Sequence, residues 1–593
     1  VNQSKGVQNK FLSSAEGGGH IKNLYLRDHK KRNILLVLEQ DHEIDLKKVK
    51  ETLGTGRLSF GSAERLFENL GVLPGAVTPL SMITGVNNGV TLFMDLNLKS
   101  CKKIFAHPLV NDRTLGMSIK SLEQFFEKIK VISPYFDKKI ATIPNSDAEQ
   151  LDIAVKEANK AFQTWSQTNI RDRAQVMSKF KANIENDIED LAKIIALDNG
   201  KTIEDAFGSI KRGVEVIDFA ISMPNVLKGE SSEVSPGINC VMTHEPIGVV
   251  AGITPFNFPV MVPLWMIPLA ITAGNTFILK PSEQTPLAAI KLAEYLEQAG
   301  LPKGVFNVVH GSKDIVEAIC DNSKIKAVAF VGSSKVAEIV YSRSTQNKKR
   351  AICLGGAKNH MIVVPDADVD STAKGLLASS MGSAGQRCMA ASVAVGVEDI
   401  DHIIDQLIDE AKSYELGKDM GTIISKTSLD RITNYINEAE KIGAKILLDG
   451  RKASRPSDYS SGYWIGPTIL DYVDPKWKCA TEEIFGPVLT IIRVDTIEKA
   501  MEVENTSQYG NAAAVFTTSG EIAKIVSDNA SSGMIGINIG VPVPRDPFSF
   551  GGWNESKYGH GDITGVSGVS FWTNLKKTTS RWPESSQEWK KYF

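Results

Sequence analysis

The chain has 593 residues, too many for one hydrophobic core, so we expect several domains. Hydrophobic residues make up 42% and charged residues 23%, and the net charge of −2 gives the whole chain no electrostatic attraction for nucleic acids or membranes. The longest apolar stretch, 260–274, contains two prolines and is too short to span a bilayer, so it predicts a buried helix. The opening VNQSKG has neither Met nor an apolar signal, which predicts a processed N-terminus.

The six cysteines are scattered along the chain with no CxxC pair. That spacing predicts neither a disulfide framework nor a zinc knuckle, and we expect no metal site. It favours a reducing compartment, which is the cytoplasm in a bacterium and the mitochondrial matrix in a eukaryote. The six are Cys101, Cys240, Cys320, Cys353, Cys388 and Cys479.

Residues 1–136 form one compositional unit that we interpret as a separate domain. Short strand-like runs, NLYLRD, NILLVLEQ and TLFMDLNL, are interspersed with helix-like runs, DLKKVKETL, GSAERLFENLG and SLEQFFEKI. Mixed strands and helices of this kind predict a compact α+β domain.

After VISPYFDKK the pattern changes to long amphipathic helices, which sets a domain boundary near residue 137. Apolar residues recur at spacings of three and four in DAEQLDIAVKEANKAFQTW and in DRAQVMSKFKANIENDIEDLAKIIALDNG. From residue 248 strands and helices alternate, as in GVVAGI, VPLWMIPLAITA and NTFILK. This alternation predicts a parallel, doubly wound sheet with a nucleotide site at the carboxyl ends of its strands.

We divide the chain beyond residue 137 into three parts. Residues 138–355 form the predicted nucleotide-binding domain, 356–560 a second α/β domain around Cys388, and 561–593 a C-terminal segment. The run GVSFWTNLKKTTSRW in that segment is aromatic and β-branched. We therefore predict a strand that returns to the nucleotide-binding half and pairs in an oligomer.

The stretch MGSAGQRCMAAS places Cys388 among small residues, directly after Arg387. Such a cysteine is either an inert core residue or a nucleophile, and the arginine would favour a thiolate or hold an anion. In TPFNFP, Asn257 follows the strand-like run GVVAGI, where its amide suits a developing oxyanion, although a lone Asn is also a common turn residue.

Four segments carry residues suited to a dinucleotide. ILKPSE ends a predicted strand with groups for ribose hydroxyls and phosphate, and FVGSSKV sets backbone N–H groups between a strand and a helix, where they can meet a pyrophosphate. EEIFGP offers a carboxylate for ribose and an aromatic ring for the nicotinamide side, and TPFNFP adds a phenylalanine. The predicted cofactor-binding residues are Phe256, Lys280, Ser282, Glu283, Gly332, Ser333, Glu483 and Phe485.

The order of TPFNFP, ILKPSE, FVGSSKV, GQRC and EEIFGP resembles the aldehyde dehydrogenase superfamily over about residues 138–580. The resemblance implies an α/β aldehyde dehydrogenase fold, with a Rossmann-like NAD domain, a catalytic domain and oligomerisation strands. It assigns the nucleophile to Cys388 and the oxyanion amide to Asn257, with hydride passing to NAD. Glu283 would repel a 2′-phosphate, which favours NAD over NADP. The superfamily forms dimers and tetramers, so we expect a homo-oligomer.

One departure from that superfamily concerns the release of the acyl group. Most hydrolytic members carry a glutamate in LELGG as the base that activates water, whereas this chain reads ICLGG, with Cys353 at that place. Without the base, we expect slow hydrolysis and transfer of the acyl group to a thiol such as coenzyme A.

The local sequences GGAKNH, GSAGQRCMA and PFSFGGWNESKYG resemble one branch of the superfamily, the CoA-acylating semialdehyde dehydrogenases of valine and inositol catabolism. That branch binds the substrate carboxylate with two arginines, which correspond to Arg387 and to Arg212 in IKRGVEVIDFA. The resemblance implies oxidation of malonate or methylmalonate semialdehyde, loss of carbon dioxide, and formation of acetyl-CoA or propionyl-CoA.

The first 136 residues resemble the YbaK/ProX family, which hydrolyses mischarged prolyl-tRNA, through HIKNLYLRD, LPGAVTPLSM and FAHPLVNDRT. The resemblance implies a site for tRNA with Lys22 as the essential cation. The matched residues are Lys22, Gly75, Pro79, His107, Asn111 and Thr114. The opening elements of this family are largely missing, and we expect no hairpin ahead of the first long helix of the dehydrogenase half.

Two alternatives to the CoA-acylating reaction remain. In the first, the chain is a hydrolytic aldehyde dehydrogenase that releases a free acid. In the second, it is an aminoacyl-tRNA deacylase whose dehydrogenase fold serves as a scaffold.

Overall fold

The computed structural model describes residues 18–40, 44–85, 88–109, 114–119, 121–122 and 128–582. The chain divides into two compact units, residues 1–128 and 129–593. Within the described residues, no helix combines the length and apolar character needed to cross a membrane.

The first unit is built on a sheet of order β4-β2-β1-β5-β6, with β3 paired to β1. Strand β1 runs antiparallel to β2 and parallel to β5. The strands are β1 Gly18–Arg27, β2 Asn33–Glu39, β3 Ser59–Phe60, β4 Thr91–Met94, β5 Lys103–Ala106 and β6 Leu115–Met117. The α-helices are α1 Leu46–Thr52, α2 Ala63–Leu70 and α3 Met82–Gly85, and short 3-10 turns cover Pro79–Ser81 and Leu96–Ser100.

Strand β2 is buried on both faces, which explains its continuous apolar run. Leu35 and Val37 pack in a core with Leu66 and Leu70 of α2. Their neighbours along β2 point to the opposite face and form a second, smaller core against which α1 packs. The predicted α+β character is confirmed, while most of the predicted helix SLEQFFEKI lies outside the described residues.

The strands of the second unit are β7 Lys128–Ser133, β8 Lys138–Pro144, β9 Glu230–Ser235, β10 Ile238–Pro246, β11 Val249–Ile253, β12 Thr276–Lys280, β13 Phe306–Val308, β14 Ile325–Val331, β15 Arg350–Leu354, β16 Asn359–Val363, β17 Ala391–Val397, β18 Lys445–Leu448, β19 Thr468–Asp471, β20 Val488–Val494, β21 Tyr509–Gly510, β22 Ala512–Phe516, β23 Met534–Ile537, β24 Trp553–Asn554, β25 Lys557–Tyr558 and β26 Thr573–Arg581. Its helices are α4 Ala148–Trp165, α5 Ile170–Asn186, α6 Ile188–Asn199, α7 Ile203–Val226, α8 Met261–Thr272, α9 Leu287–Gln298, α10 Lys313–Asp321, α11 Ser334–Gln346, α12 Val369–Met381, α13 Asp401–Lys412, α14 Lys426–Ile442, α15 Lys478–Thr481, α16 Ile497–Asn505, α17 Gly520–Asn529 and α18 Gly565–Phe571.

A two-stranded hairpin, β7 with β8, precedes the first long helix, so the prediction that none is present was wrong. The strands are joined by a tight turn in which the Asp137 N–H donates to the Ser133 carbonyl at 2.9 Å, with Asp137 in the left-handed region at φ 50°. The strand KKIATIP opens with two adjacent lysines and has only two large apolar residues, so it does not give a strong apolar signal.

The second of the predicted long helices is two helices, α5 and α6, that meet at Asp187. This residue leaves helical geometry, at φ −112° and ψ 19°, and its carboxylate accepts a hydrogen bond from the Tyr295 hydroxyl of α9. The apolar spacing continues through the break because both helices pack on the same core, so periodicity alone does not reveal it.

The predicted doubly wound sheet is present, in the order β13-β12-β11-β14-β15-β25. Its first five strands run parallel and β25 is antiparallel to β15. A second sheet, of order β18-β19-β20-β17-β16-β22-β23, is parallel apart from β18. Both sheets are covered by helices, and all residues of β11, β12 and β16 are buried.

A third sheet joins β26, β10 and β9 in that order. The predicted C-terminal strand is correct from Thr573 onward, but GVSF belongs to helix α18. The reason is packing, since Phe571 and the fully buried Trp572 lie in the core of the nucleotide-binding half, where Trp572 meets the ring of Phe277 edge-on at 5.9 Å.

Candidate active site

Cys388 lies on the loop between α12 and β17, and its backbone is held from two sides. The amide nitrogens of Asn359 and Asn511 donate to its carbonyl at 2.9 and 3.0 Å. The preceding turn is unusual because Ser383 and Ala384 both have left-handed backbones, at φ 51° and 55°. The side chain of Cys388 is therefore presented on a fixed, tightly folded loop.

Two cavities meet at Cys388. One, of about 580 Å³, is lined by residues of α7 and by the loops near Arg387 and Arg545. The other, of about 560 Å³, lies at the carboxyl ends of β11, β12 and β14. Cys388 lines both, so two reactants can reach its sulfur from different sides.

The surroundings of the Cys388 thiol disfavour its ionisation. Burial, and next the nearby charge of Glu483, raise its pKa to about 12. The backbone N–H groups of Cys388 and Met389 and the charge of Arg387 oppose this rise but do not overcome it. The thiolate thus requires further positive charge or a proton acceptor when the reactants are bound.

Asn257 is buried in the loop that follows β11, as predicted from TPFNFP. Its amide nitrogen donates to the Gln386 carbonyl at 3.0 Å, two residues before Cys388. A side-chain amide carries two hydrogens, so one remains for an oxygen that develops charge beside the cysteine.

Arg212 and Arg387 both line the first cavity, although they are 175 positions apart in the sequence (387 − 212). Arg387 Nη2 lies 2.7 Å from Asp205 Oδ1, and Arg212 Nη1 lies 3.0 Å from Glu215 Oε2. The partners Asp205 and Glu215 are also on α7, the helix that carries Arg212.

The second cavity has the features of a dinucleotide site. At the end of β12, Lys280 is buried and pairs with Glu283 at 2.8 Å, while Ser282 lies between them in sequence. Gly332 and Ser333, which directly precede α11, line this cavity. Helix N-termini at strand ends bind phosphates, so these residues fit a dinucleotide such as NAD.

Glu483 and two aromatic rings complete this cavity. Glu483 accepts a hydrogen bond from the Ala357 N–H at 3.0 Å, and its burial raises its pKa. Phe485 contacts Phe256 edge-on, with ring centroids 5.8 Å apart. The eight residues predicted to bind the cofactor all line the same cavity.

Cys353 lines neither cavity. It is fully buried at the end of β15, in a cluster with Phe330 and beside Tyr558 of β25, and burial raises its pKa well above the usual value. A thiol that is buried there and kept protonated cannot activate water beside Cys388.

Sequence reasoning missed a buried polar group beside Arg387. Lys201 is almost fully buried, lies 4.1 Å from the ring centroid of Phe258, and donates to Ser383 Oγ at 2.7 Å. Burial lowers its pKa to about 7, with smaller effects from Asp205, Arg387 and Cys388. The sequence signal was weak, because Lys201 and Asp205 in DNGKTIEDA are ordinary residues for the start of a helix.

In the first unit, the structure brings together the segments that carry Lys22, Gly75 and His107. His20 of β1 lies opposite Phe105 of the parallel strand β5, and Lys22 and His107 come two residues later on each segment. Asn23 donates to the Val77 carbonyl at 2.8 Å, which ties β1 to the exposed turn of Gly75. Asn111 lies outside the described residues.

Two family models match the chain. Residues 121–578 match the aldehyde dehydrogenase family, and residues 9–125 match the aminoacyl-tRNA editing domain.

Similar proteins cover most of the second unit. The malonate-semialdehyde dehydrogenase of Pseudomonas aeruginosa is 42% identical over 487 residues, which cover 81% of this chain and 96% of that protein. Malonate-semialdehyde dehydrogenase 1 of Bacillus licheniformis is 44% identical, with 77% and 95% covered.

Solved structures extend the likeness to the fold. The methylmalonate-semialdehyde dehydrogenase of Oceanimonas doudoroffii superposes with a TM-score of 0.76 at 42% identity, covering 78% of this chain and 96% of that one. A Sinorhizobium meliloti protein in complex with NAD gives a TM-score of 0.76 at 41% identity, with 78% and 95% covered.

Proposed function

The chain belongs to the aldehyde dehydrogenase family, and we propose that it oxidises malonate or methylmalonate semialdehyde with NAD and passes the acyl group to coenzyme A. One observation carries this proposal: Cys388 lies where a cavity with two arginines meets a cavity suited to a dinucleotide. The names of the relatives agree with this reaction, and they do not favour the hydrolytic or the scaffold alternative.

The reaction begins with addition of the Cys388 sulfur to the aldehyde carbon. The oxygen that gains negative charge is stabilised by the free amide hydrogen of Asn257 and by the backbone N–H of Cys388. NAD supplies the acceptor for the hydride that leaves this carbon. What remains on Cys388 is a thioester.

Arg212 and Arg387 bind the carboxylate at the other end of the semialdehyde. A guanidinium binds a carboxylate through two parallel hydrogen bonds, so the pair fixes both the position and the orientation of the aldehyde. We assign the cofactor to Phe256, Lys280, Ser282, Glu283, Gly332, Ser333, Glu483 and Phe485, which line the second cavity.

Release of the product follows two steps. The carboxylate beta to the thioester carbonyl leaves as carbon dioxide, and the electrons of the broken bond form a thioester enolate that takes up a proton. The sulfur of coenzyme A then attacks the carbonyl and displaces Cys388. Attack by water is slow in comparison, because Cys353 is buried and cannot act as a base.

NADH formation from malonate semialdehyde, with and without coenzyme A, tests the proposal. We expect turnover to require coenzyme A, acetyl-CoA to appear by mass spectrometry, and Cys388→Ala to abolish both. Cys240→Ala is the matched control, since Cys240 lies on β10 and lines neither cavity. Steady NADH formation without coenzyme A, with accumulation of free acid, would contradict the acylating reaction.

We propose a separate activity for the first unit, the hydrolysis of an aminoacyl ester at the 3′ end of tRNA. The match of residues 9–125 to the editing domain supports it, together with the proximity of the segments carrying Lys22, Gly75 and His107. Deacylation of Ala-tRNA(Pro) by the full chain should be lost in Lys22→Ala and kept in Lys47→Ala, an exposed lysine of α1. Equal activity in all three proteins would refute the assignment.

We also infer that the enzyme is a homodimer or homotetramer. The sheet of β26, β10 and β9 exposes Val234, Val241 and Leu575, and all six residues of the edge strand β9 are exposed. An edge strand with exposed apolar side chains is suited to pairing with a second copy. Light scattering after size exclusion tests this, and a monomeric mass would contradict it.

A further inference from the structure

The guanidinium of Arg387 is held at two of its three nitrogens. Its Nη2 donates to Asp205 Oδ1 at 2.7 Å, and its Nε donates to Ser383 Oγ at 3.1 Å. The Ser383 N–H in turn donates to Asp205 Oδ2 at 3.1 Å, so Arg387, Ser383 and Asp205 are each hydrogen-bonded to the other two. The side chains of Arg387 and Asp205 are only 23% and 17% exposed, so this pair is more sheltered from solvent than a surface ion pair.

The flat face of the guanidinium rests on Gly382. A Cβ at Gly382 would lie 2.3 Å from Arg387 Nη1 and 2.5 Å from Cζ, so the arginine occupies the space that any other residue would fill. The left-handed turn at Ser383 and Ala384 folds the chain back so that Gly382 and Ser383 both reach the side chain of Arg387.

This arrangement leaves one edge of the Arg387 guanidinium for a ligand. The edge formed by Nε and one hydrogen of Nη2 is taken by Ser383 and Asp205, whereas Nη1 donates no hydrogen bond within the described residues. Because a carboxylate needs two donors side by side, the edge of Nη1 and Nη2 is the one that can receive it.

Arg212 is held less firmly. Its contact with Glu215 is a single ion pair between side chains that are 38% and 43% exposed, and Arg545 Nε lies 4.0 Å from the same carboxylate oxygen. Of the two arginines, Arg387 is therefore the one whose direction is set before the substrate arrives.

We propose that Asp205 is a positioning residue that sets the preference for a carboxylated aldehyde, by holding Arg387 with its free edge toward the cavity. This inference rests on the proposed function, since it needs a substrate with a carboxylate. Asp205 also places a second negative charge near the carboxylate of the substrate, which opposes binding. Lys201, which donates to the same Ser383 hydroxyl as Arg387, supplies a buried group that can carry a compensating positive charge.

The experiment compares malonate semialdehyde with propanal, an aldehyde of the same carbon number that lacks the carboxylate. For Asp205→Ala we expect KM for malonate semialdehyde to rise on the order of tenfold or more, with kcat and the kinetics of propanal little changed, because a charge-assisted hydrogen bond to the arginine is lost. Gly382→Ala should act in the same way by displacing the guanidinium. Asp205→Asn should give a smaller rise, because its oxygen can still accept from Nη2 while its amide cannot accept from the Ser383 N–H.

Asp218→Ala is the matched control, since Asp218 is on the same helix and pairs with Lys181 in solvent. Equal losses for both aldehydes in Asp205→Ala and Gly382→Ala would show a general structural role and overturn the inference, and so would unchanged KM values in properly folded variants. If wild-type enzyme itself does not prefer malonate semialdehyde to propanal, the proposed function fails instead.

Discussion

The two cavities that meet at Cys388, for which we propose the cofactor and the substrate, are built in different ways. In the cofactor cavity, the lining comes from the ends of parallel strands, from Gly332 and Ser333 ahead of α11, and from the ion pair of buried Lys280 with the partly exposed Glu283. In the substrate cavity, contacts come from charged side chains of α7 and of three separate loops, and every arginine there is paired with a carboxylate.

This difference separates the features that the fold itself provides from those that depend on individual pairs of side chains. Strand ends and helix N-termini bind a dinucleotide wherever a doubly wound sheet places them, so the cofactor cavity follows from the fold. The substrate cavity depends on individual pairs such as Asp205 with Arg387, which the fold alone does not require. Substitutions in one cavity should therefore leave the other reactant unaffected.

The largest effect is expected at Cys388, which the two cavities share. Cys388→Ala removes the only atom that can form the thioester in the proposed reaction, so NADH formation should fall roughly 10⁴-fold or more. Binding of NAD, measured by calorimetry, should persist, because the cofactor contacts lie elsewhere. Substantial residual turnover would mean that the thioester is not an intermediate.

The next effect should be confined to the substrate cavity. Arg387→Ala should raise KM for malonate semialdehyde by about 100-fold and Arg212→Ala by about tenfold, since the more buried and better positioned arginine forms the stronger charged hydrogen bonds. Steady-state kinetics at saturating NAD gives both values, and the KM for NAD should stay within about twofold. A parallel rise in the KM for NAD would show that the two cavities are not independent.

A substitution in the cofactor cavity should affect the binding of NAD and not that of the aldehyde. Lys280→Met removes a buried charge at the end of β12 and should raise the KM for NAD by about tenfold, while the KM for malonate semialdehyde is retained. Lys291→Met on the neighbouring helix α9, where the lysine pairs with Glu294 in solvent, serves as the control. If Lys280→Met behaves like its control, the lysine has no part in cofactor binding.

A last prediction concerns stability rather than activity, and it is a pH dependence that comes from Lys201, beside Ser383. Its pKa is about 7 in the folded protein and lies near the ordinary 10.5 when unfolded, so between these values the unfolded chain binds the extra proton. The free energy of unfolding should accordingly rise with pH over this window, by up to about 1.4 kcal/mol per pH unit relative to Lys201→Met. Denaturant unfolding from pH 7 to 9 measures the difference, and parallel curves for the two proteins would contradict it.

The motifs along the chain were enough to select eight residues that line one cavity. TPFNFP, ILKPSE and FVGSSKV each follow or end a strand of the parallel sheet, and parallel strands bring such ends to one edge, whereas EEIFGP leads into β20 of the second sheet. Arg212 and Arg387 were predicted only through the resemblance to one branch of the family, because by its own sequence Arg212 is an ordinary polar residue of an amphipathic helix. The fold places both in one cavity.

The elements that were predicted wrongly share a physical cause. The break at Asp187, the hairpin before α4 and the helix at GVSF all make contacts with distant residues that local periodicity does not contain, and these residues are Tyr295, Tyr463 and Phe277. Propensity and spacing describe a segment and its own faces, whereas these features were decided by what packs against them.

The sequence by itself determined the α/β class, because apolar periodicity is a local property. It placed the first domain boundary near residue 137, whereas the two compact units divide between residues 128 and 129, and it assigned Cys388 as the nucleophile only through the family resemblance. Only the tertiary structure decided that Cys353 is buried away from the reaction, that Asn257 reaches the cysteine loop, and that Asp205 and Gly382 hold Arg387. Those relations join segments that are far apart in the chain, and the distances between their atoms are set by the packing of two sheets and their helices.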